Sequence, residues 1–535
     1  MGYKEGGAMF AYGLMHARHG DGFVMSALTH WLEMYDQVPI LHGACLGFGV
    51  AGVGSGSRDG YMTLRKVLLR EEPVSGEAAA ISMGLILAGH LSNDVFHDLI
   101  QYSIETQHDK VQRGIRTGLA CAAFGIGENV ERYMPETLEE ETNPILRSTG
   151  VCMLSMAYAG TGNPDAIRRL LDMVATDPNA DVKRYAVIGI GFIMSKDVMT
   201  CLSYITILIE HYHPHVRYGA TMAIAIACAG TGNMYAISLL EPMMSDREGY
   251  VRAGAFMAIA MIMGQQSNHT CPKLNSFRMR LMEKMIEEAE DTLVKVGVFI
   301  AQGLLDIGGQ NASISMHNSE GKSDMAANVG MMCFIHGWYW HSMYYFISLA
   351  AKPSSLIILT PDLKMPAITI TCHAAFDKFK YPPGFRQREE MPTTEMAHSI
   401  LSIAVRNNKK EEQKAKQIAK TGVDSSEIPK KESSDAKTVE TKPPEEKYHL
   451  LDNPTRVIEE QLSFISLTHP FLYKTARPLY KGGIIMATRH EEIKTEEQFI
   501  PDFANESSAI KNLSDVAAYR ERKAHSTFPI ALADY

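Results

Sequence analysis

A chain of 535 residues has room for several ordinary domains or for one long array of repeats, and 46% hydrophobic with 21% charged residues describes a globular protein with a sizeable core. A formal net charge of −9 lacks the basic footprint that neutralises phosphates, which argues against nucleic acid as a partner. Eight cysteines, Cys45, Cys121, Cys152, Cys201, Cys228, Cys271, Cys333 and Cys372, form no C-x-x-C pair and sit mostly in apolar runs, so buried reduced thiols in an intracellular protein are expected.

The opening residues, MGYKEGGAMF, carry no basic stretch followed by an apolar one, so no secretory signal is read there. They begin inside a repeat, so a truncated chain or gene model is expected. From there to residue 310 the sequence copies itself: VRYGATMAIAIACAGTG (216–232) aligns with LRSTGVCMLSMAYAGTG (146–162), HGACLGFGVAGVG (42–54), VRAGAFMAIAMIMG (251–264) and VKVGVFIAQGLLDIGG (294–309). The equivalent small-residue positions are Gly7, Gly43, Ala78, Gly114, Thr149, Tyr185, Gly219, Gly254 and Gly297, with Tyr185 the bulky exception. Their spacings are 36, 35, 36, 35, 36, 34, 35 and 43.

Each unit reads as two short helices. The first carries a small and apolar stripe, such as Ala220, Ala223 and Ala227, and stops at a Gly-Thr-Gly-Asn turn (230–233) where glycine supplies the left-handed conformation. The second has its own apolar spacing, Ala236, Leu239, Leu240 and Met243, before a polar turn. An interior helical glycine costs about 1 kcal/mol relative to alanine, yet Gly13, Gly49, Gly84 and Gly191 recur at one place in their repeats. Close approach of neighbouring helices offsets that cost, and small residues inside with larger ones outside bend the array. The predicted fold is mainly α: a helix-turn-helix solenoid over 1–310 closing into a toroid.

Within the repeats, Gly47, Gly49 and Gly52 spell G-x-G-x-x-G, but no strand precedes them and the pattern is copied elsewhere, so a structural reading is preferred to a dinucleotide site. His211, His213 and His215 alternate around Pro214 with no cysteine or carboxylate to complete a metal set, and read as a turn. The acidic runs Glu139 to Glu141 and Glu287 to Glu290 read as solvated surfaces, and no nucleophile elbow or P-loop appears. No catalytic, cofactor or metal residue is assigned.

After Gly309 the period fails. Residues 326–351 contain no Asp, Glu, Lys or Arg and are long enough for a membrane span, but their aromatics lie in the middle rather than at the two ends, which favours a buried core. SSLIILT (354–360), AITITC (367–372) and GGIIMAT (482–488) read as strands of a small C-terminal domain in two parts, 311–407 and 448–490. The segment 408–447 mixes ten lysines with nine acids, has no aromatic residue, and reads as a disordered charged insertion. In the tail, 491–535, Phe528, Pro529, Ile530 and Tyr535 stand as apolar anchors suited to a partner's groove.

The repeat motif resembles the proteasome/cyclosome repeat. HPHVRYGATMA (213–223), FIAQGLLDIGG (299–309), LLDNPTRV (450–457) and KGGIIM (481–486) are similar to the larger repeat-containing scaffold subunit of the proteasome regulatory particle, over nearly the whole chain to about residue 489. The sequence departs from that family in lacking its N-terminal rod, its first repeats and its strongly acidic ending. The resemblance implies an α-helical toroid with a small β-containing domain, a non-catalytic scaffold, no cofactor, and residence in cytoplasm and nucleus. It implies as partners the proteasomal ATPase ring, non-ATPase subunits and, through the tail at Phe528 to Tyr535, a ubiquitin receptor, with no membrane. A scaffold of the anaphase-promoting complex, and an enzyme with its site in the hollow, are the alternatives.

Overall fold

The computed structural model describes residues 2–139, 142–318, 320–374, 376–379, 448–470 and 472–490. Helices alternate between an inner and an outer row. Inner α1 (Tyr3–Met15) is followed by outer α2 (Gly22–Met34), then α3 (Val38–Ala51) by α4 (Arg58–Leu68), and α5 (Pro73–Ile86) by α6 (Asn93–Glu105). Inner α7 (Asp109–Ala122) has no outer α-helix; the 3-10 segment Gly127–Tyr133 takes its place, a departure from the expected helix pair. Inner α8 (Pro144–Ala157), α10 (Ala180–Ile193), α12 (Pro214–Cys228) and α14 (Gly249–Met263) precede outer α9 (Pro164–Thr176), α11 (Val198–Leu208), α13 (Met234–Leu240) and α15 (Leu274–Ile286). Inner α16 (Thr292–Leu305) ends the row.

The inner helices touch backbone to backbone. A Cβ built on Gly84 of α5 would fall on the backbone of Gly118 in α7, and one on Gly43 of α3 on the backbone of Gly6 in α1. On Gly191 of α10 it would lie 2.6 Å from Cα of Ala223 in α12. This proximity is the compensation for helical glycine: each missing methyl lets one helix settle against the next.

The Gly-Thr-Gly-Asn turn does more than end a helix. Gly230 and Gly232 have φ of 70° and 63°, reachable without strain only by glycine. That conformation aims their N–H groups at the next inner helix, donating to Met261 O at 2.9 Å and Ile262 O at 3.0 Å. Gly160 and Gly162 donate in the same way to Phe192 O and Ile193 O, and Gly54 and Gly56 to Leu85 O and Ile86 O. Carbonyls that every helix leaves unpaired at its C-terminus are therefore satisfied by the preceding repeat. Thr231 Oγ1 donates to Cys228 O at 2.7 Å, and Asn233 Oδ1 caps α13 by accepting from Tyr235 N and Ala236 N.

A second ladder ties the other ends. Arg147 pairs with Asp177 at 2.7 Å, Arg217 with Asp246 at 2.7 Å and Arg252 with Glu290 at 2.6 Å, each joining an inner helix to the turn before the next one. Asp177 and Asp246 also accept from the N–H of Asn179 and Glu248 in those turns.

The repeats curve round a central segment: β1 (Ala312–Ile314), α17 (Met325–Gly337), the 3-10 segment Met343–Ala350 and β2 (Ala351–Pro353), with β1 and β2 antiparallel. The Phe346 ring lies tilted 5.6 Å from that of Phe10 in α1, Asp324 pairs with Arg18 at 3.0 Å, and Trp338 reaches Tyr218 of α12. The uncharged stretch 326–351 is thus not one helix. With 13 residues α17 spans about 20 Å, short of a hydrocarbon layer of roughly 30 Å, and it is buried against the inner row. Among the described residues Thr292–Gly309 has the length and mean hydropathy, 1.4, of a span, but Gly308 at φ 61° breaks it and Gly297 seats it on Ala253 of α14.

Beyond the repeats lie β3 (Ser355–Leu359), β4 (Thr369–Cys372), β5 (His449–Asp452), β6 (Thr455–Arg456), β7 (Ile465–Leu467), β8 (Tyr473–Thr475) and β9 (Gly483–Arg489). They form a four-stranded sheet ordered β6-β3-β9-β8, with β3 and β9 parallel, and a three-stranded antiparallel sheet ordered β5-β4-β7. Strands from before residue 380 therefore pair with strands from after 447. Leu356, Ile358, Ile370, Val457, Ile485 and Ala487 make the core between them.

Candidate functional site

The repeat-defining positions lie on the inner row. Gly43, Gly114, Gly219, Gly254 and Gly297 each face back toward the preceding inner helix: a Cβ on Gly219 would meet Arg184 O at 2.9 Å, and one on Gly254 Cδ2 of Tyr218 at 3.0 Å. Ala78 and Thr149 are buried at matching places, Thr149 Oγ1 donating to Ile145 O at 2.9 Å. Gly7 is different. It is exposed and a Cβ there would meet nothing within 4 Å, so the close contact in α1 falls to Gly6 and Gly13 instead.

Tyr185, the bulky exception, has a specific surrounding. Its ring stacks on His336 of α17 with centroids 4.7 Å apart, and the guanidinium carbons of Arg116 and Arg184 lie 4.4 and 4.7 Å from it. Arg184 also donates to Tyr185 Oη at 2.7 Å. A cation over an aromatic face gains about 2 kcal/mol when desolvated, so Tyr185 sits where a small residue would leave two guanidinium groups without cover.

His336 is buried, and burial together with the Arg116 charge pulls its pKa down to about 3. It is therefore a neutral imidazole, with Nδ1 donating to Met332 O at 2.8 Å and Nε2 facing Cys152 Sγ at 4.0 Å. Two residues on, Trp338 Nε1 donates to Tyr218 Oη at 2.8 Å, and burial pushes that phenol up to about 12. The neighbouring Cys333 thiol of α17, together with burial, raises the Cys121 thiol of α7 well above the ordinary range. All eight cysteines are free and buried. The central segment is thus held against the inner row by ring stacking and side-chain hydrogen bonds.

The junction with the sheets depends on the segment LLDNPTRV. Asn453 Oδ1 accepts from Ile358 N at 2.9 Å while its Nδ2 donates to Ile358 O at 3.0 Å and Pro366 O at 2.9 Å, closing the β3 backbone against the loop before β4. Arg456 donates to Gln265 O at 2.8 Å and Gln265 Oε1 at 2.9 Å, fastening β6 to the turn after α14. One short segment thus binds both the sheet and the repeats.

The remaining motifs find structural places. Gly47 and Gly49 lie inside α3, packed on Met9 of α1 and Ser82 of α5, so the G-x-G-x-x-G pattern makes helix contacts. His211 Nδ1 accepts from His213 N at 3.0 Å in the turn before α12. Among the described residues no group of three His, Cys, Asp or Glu is disposed to hold a metal. Glu290 is buried in an ion pair rather than solvated, and Glu139 is exposed. A groove of about 750 Å³ runs along α1, lined by Phe10, His42 and Trp340. The insertion 408–447 and the anchors Phe528, Pro529, Ile530 and Tyr535 lie outside the described residues.

Comparison with known proteins gives a consistent set. Residues 354–500 match the 26S proteasome regulatory subunit RPN2 C-terminal domain, 78–112 the proteasome/cyclosome repeat, and 167–260 HEAT repeats. The 26S proteasome non-ATPase regulatory subunit 1 of Caenorhabditis elegans is 51% identical over 564 residues, covering 100% of this chain and 57% of that protein. The subunit of the same description in Drosophila melanogaster is 35% identical, covering 94% of this chain and 53% of its own length. The 26S proteasome regulatory subunit rpn2 of Schizosaccharomyces pombe is 33% identical, covering 92% and 53%. The chain spans between about half and three fifths of the length of these curated relatives.

Proposed function

This chain is homologous over its whole length to 26S proteasome non-ATPase regulatory subunit 1, and on that premise we propose that it is a non-catalytic scaffold of the proteasome regulatory particle. The observation that carries the proposal is 51% identity over an alignment that covers the whole chain, joined to an RPN2-type C-terminal domain. The mechanism is geometric. Inner helices in backbone contact, glycine N–H groups bonded to the next helix and buried arginine pairs hold successive repeats at fixed separations. Partners docked on different repeats are then held at set distances and angles from one another.

In this reading the repeats close into a toroid, the partners are the ATPase ring and neighbouring non-ATPase subunits, and the tail bearing Phe528 and Tyr535 receives a ubiquitin receptor. The protein works in cytoplasm and nucleus, in ubiquitin-dependent degradation. The relatives' names and the RPN2-type domain count against the anaphase-promoting-complex alternative.

The test is native affinity purification of the full tagged chain followed by mass spectrometry. Stoichiometric recovery of proteasomal ATPases is expected; a preparation free of every proteasome subunit refutes the proposal. Deleting 491–535 is expected to remove the ubiquitin receptor and leave the ATPases.

A further inference from the structure

Buried arginines in this molecule have carboxylates. Arg147, Arg217, Arg252 and Arg278 each pair with an Asp or Glu within 2.7 Å. Arg116 of α7 breaks the pattern. It is 6% exposed, its Nε is buried without a hydrogen-bond partner, and its guanidinium lies over the face of Tyr185, with Glu77 the carboxylate whose charge reaches it. A guanidinium taken out of water with no carboxylate hydrogen-bonded to it is a costly arrangement.

Arg116 borders a cavity of about 130 Å³ between α5, α7 and the central segment. Lys110 and Arg113 line it from the same side of α7, and Trp340 and His336 close it opposite. Lys110 Nζ is held 4.7 Å over the Trp340 ring. Arg113 has an outward partner, Asp109, at 4.0 Å, with both side chains at least half exposed. Glu77 of α5 is the one carboxylate among the lining residues, and burial pushes its carboxyl up. Even with Glu77 ionised, three cations face one anion, an excess of two positive charges.

We propose that this cavity binds a compact oxyanion, a phosphate group, held by Arg116 and Lys110 with Arg113 at the mouth. A phosphate dianion cancels the excess charge, and the guanidinium fork matches its oxygens. The ring faces of Tyr185 and Trp340 hold two of the cations in place beforehand, which removes part of the ordering cost of binding. At about 30 Å³ per water the volume corresponds to roughly four waters, room for one tetrahedral group and too little for a nucleotide. The bound group bridges α7 of the repeats to the central segment. The site stands independently of the scaffold reading, since it rests on these side chains alone.

The test titrates the full chain in chloride buffer at constant ionic strength, by calorimetry and by thermal melting, with inorganic phosphate in one arm and a phosphoserine peptide in the other. Saturable one-to-one binding and a raised melting midpoint are expected. Arg116→Met is expected to weaken binding at least tenfold, and Arg168→Met, at an exposed site on α9, to leave it unchanged. Because Arg116 is buried, Lys110→Met provides a second variant, with circular dichroism to establish that each is folded. Binding of inorganic phosphate alone assigns a free ion, and tighter binding of the peptide assigns a phosphoryl group presented by another chain; either supports the site when both variants lose it. Heats equal to those of chloride, or affinity undiminished in both folded variants, overturn it.

Discussion

Replacing glycine with alanine at two inner-helix positions is expected to move stability in opposite directions. At Gly84 the new Cβ lands on the backbone of Gly118, and a backbone cannot swing aside as a side chain can, so α5 and α7 must separate. Overpacking of this kind costs typically about 1–3 kcal/mol, and rigid neighbours put Gly84→Ala toward the upper end. Alanine's better helix propensity returns about 1 kcal/mol, leaving a net loss of about 2 kcal/mol. At Gly7, in the interior of α1, nothing lies within 4 Å, so only the propensity gain remains and Gly7→Ala should stabilise by about 0.5–1 kcal/mol. Urea denaturation of the two variants, followed by far-ultraviolet circular dichroism, reads the sign directly. Shifts in the same direction, or a neutral Gly84→Ala, would refute the claim that glycine recurs in these helices for the sake of backbone contact.

Asp246→Ala removes the carboxylate that meets Arg217 where the side chains are 7% and 15% exposed, and should cost about 3–5 kcal/mol. Asp165→Ala breaks the exposed Arg168 pair and should cost under about 1 kcal/mol in the same denaturation assay. Trp338→Phe removes the donor to Tyr218 Oη and leaves a gap in a buried site, so a loss of about 2–4 kcal/mol is expected in thermal melting. Burial raises the Glu290 carboxyl, but hydrogen bonds from Lys284, Arg252 and Asp291 N pull it below its ordinary 4.5 to about 2. Its contribution is complete above 4.5 and is lost as pH falls toward 2, so Glu290→Gln should flatten that part of the stability–pH curve. With every thiol buried, a chromogenic disulfide reagent should react with none of the eight cysteines before unfolding, which absorbance at fixed denaturant concentrations can follow.

Much of the repeat architecture was legible because its signal is local. Apolar spacing and the Gly-Thr-Gly-Asn turns mark helix faces and ends within a few residues, and SSLIILT, AITITC and GGIIMAT fall on β3, β4 and β9. The 3-10 segment Gly127–Tyr133 was not legible, since an apolar pattern of seven residues does not separate it from a short outer helix. Two ladders also went unread, although both carry a recurring signal. A cation in the fourth place of the inner helix, at Arg147, Arg217 and Arg252, precedes by about thirty residues or more the acid that meets it. The second glycine of each turn donates across to the next repeat, which no spacing within one repeat reveals.

What the amino-acid order determined alone was the unit: a small-faced helix, a glycine turn, a second helix, repeated at a nearly constant interval, because propensity and periodicity act over one or two turns of chain. What only the tertiary structure decided was which residue lies against which across the hollow. Tyr185 reads as a defect in the repeat until His336, some 150 positions later, is seen stacked on it with two guanidinium groups alongside. Gly7 reads as a contact residue until its surroundings prove empty. Such meetings are set by the curvature summed over many repeats, and a small rotation at each step accumulates into a position that no local rule contains.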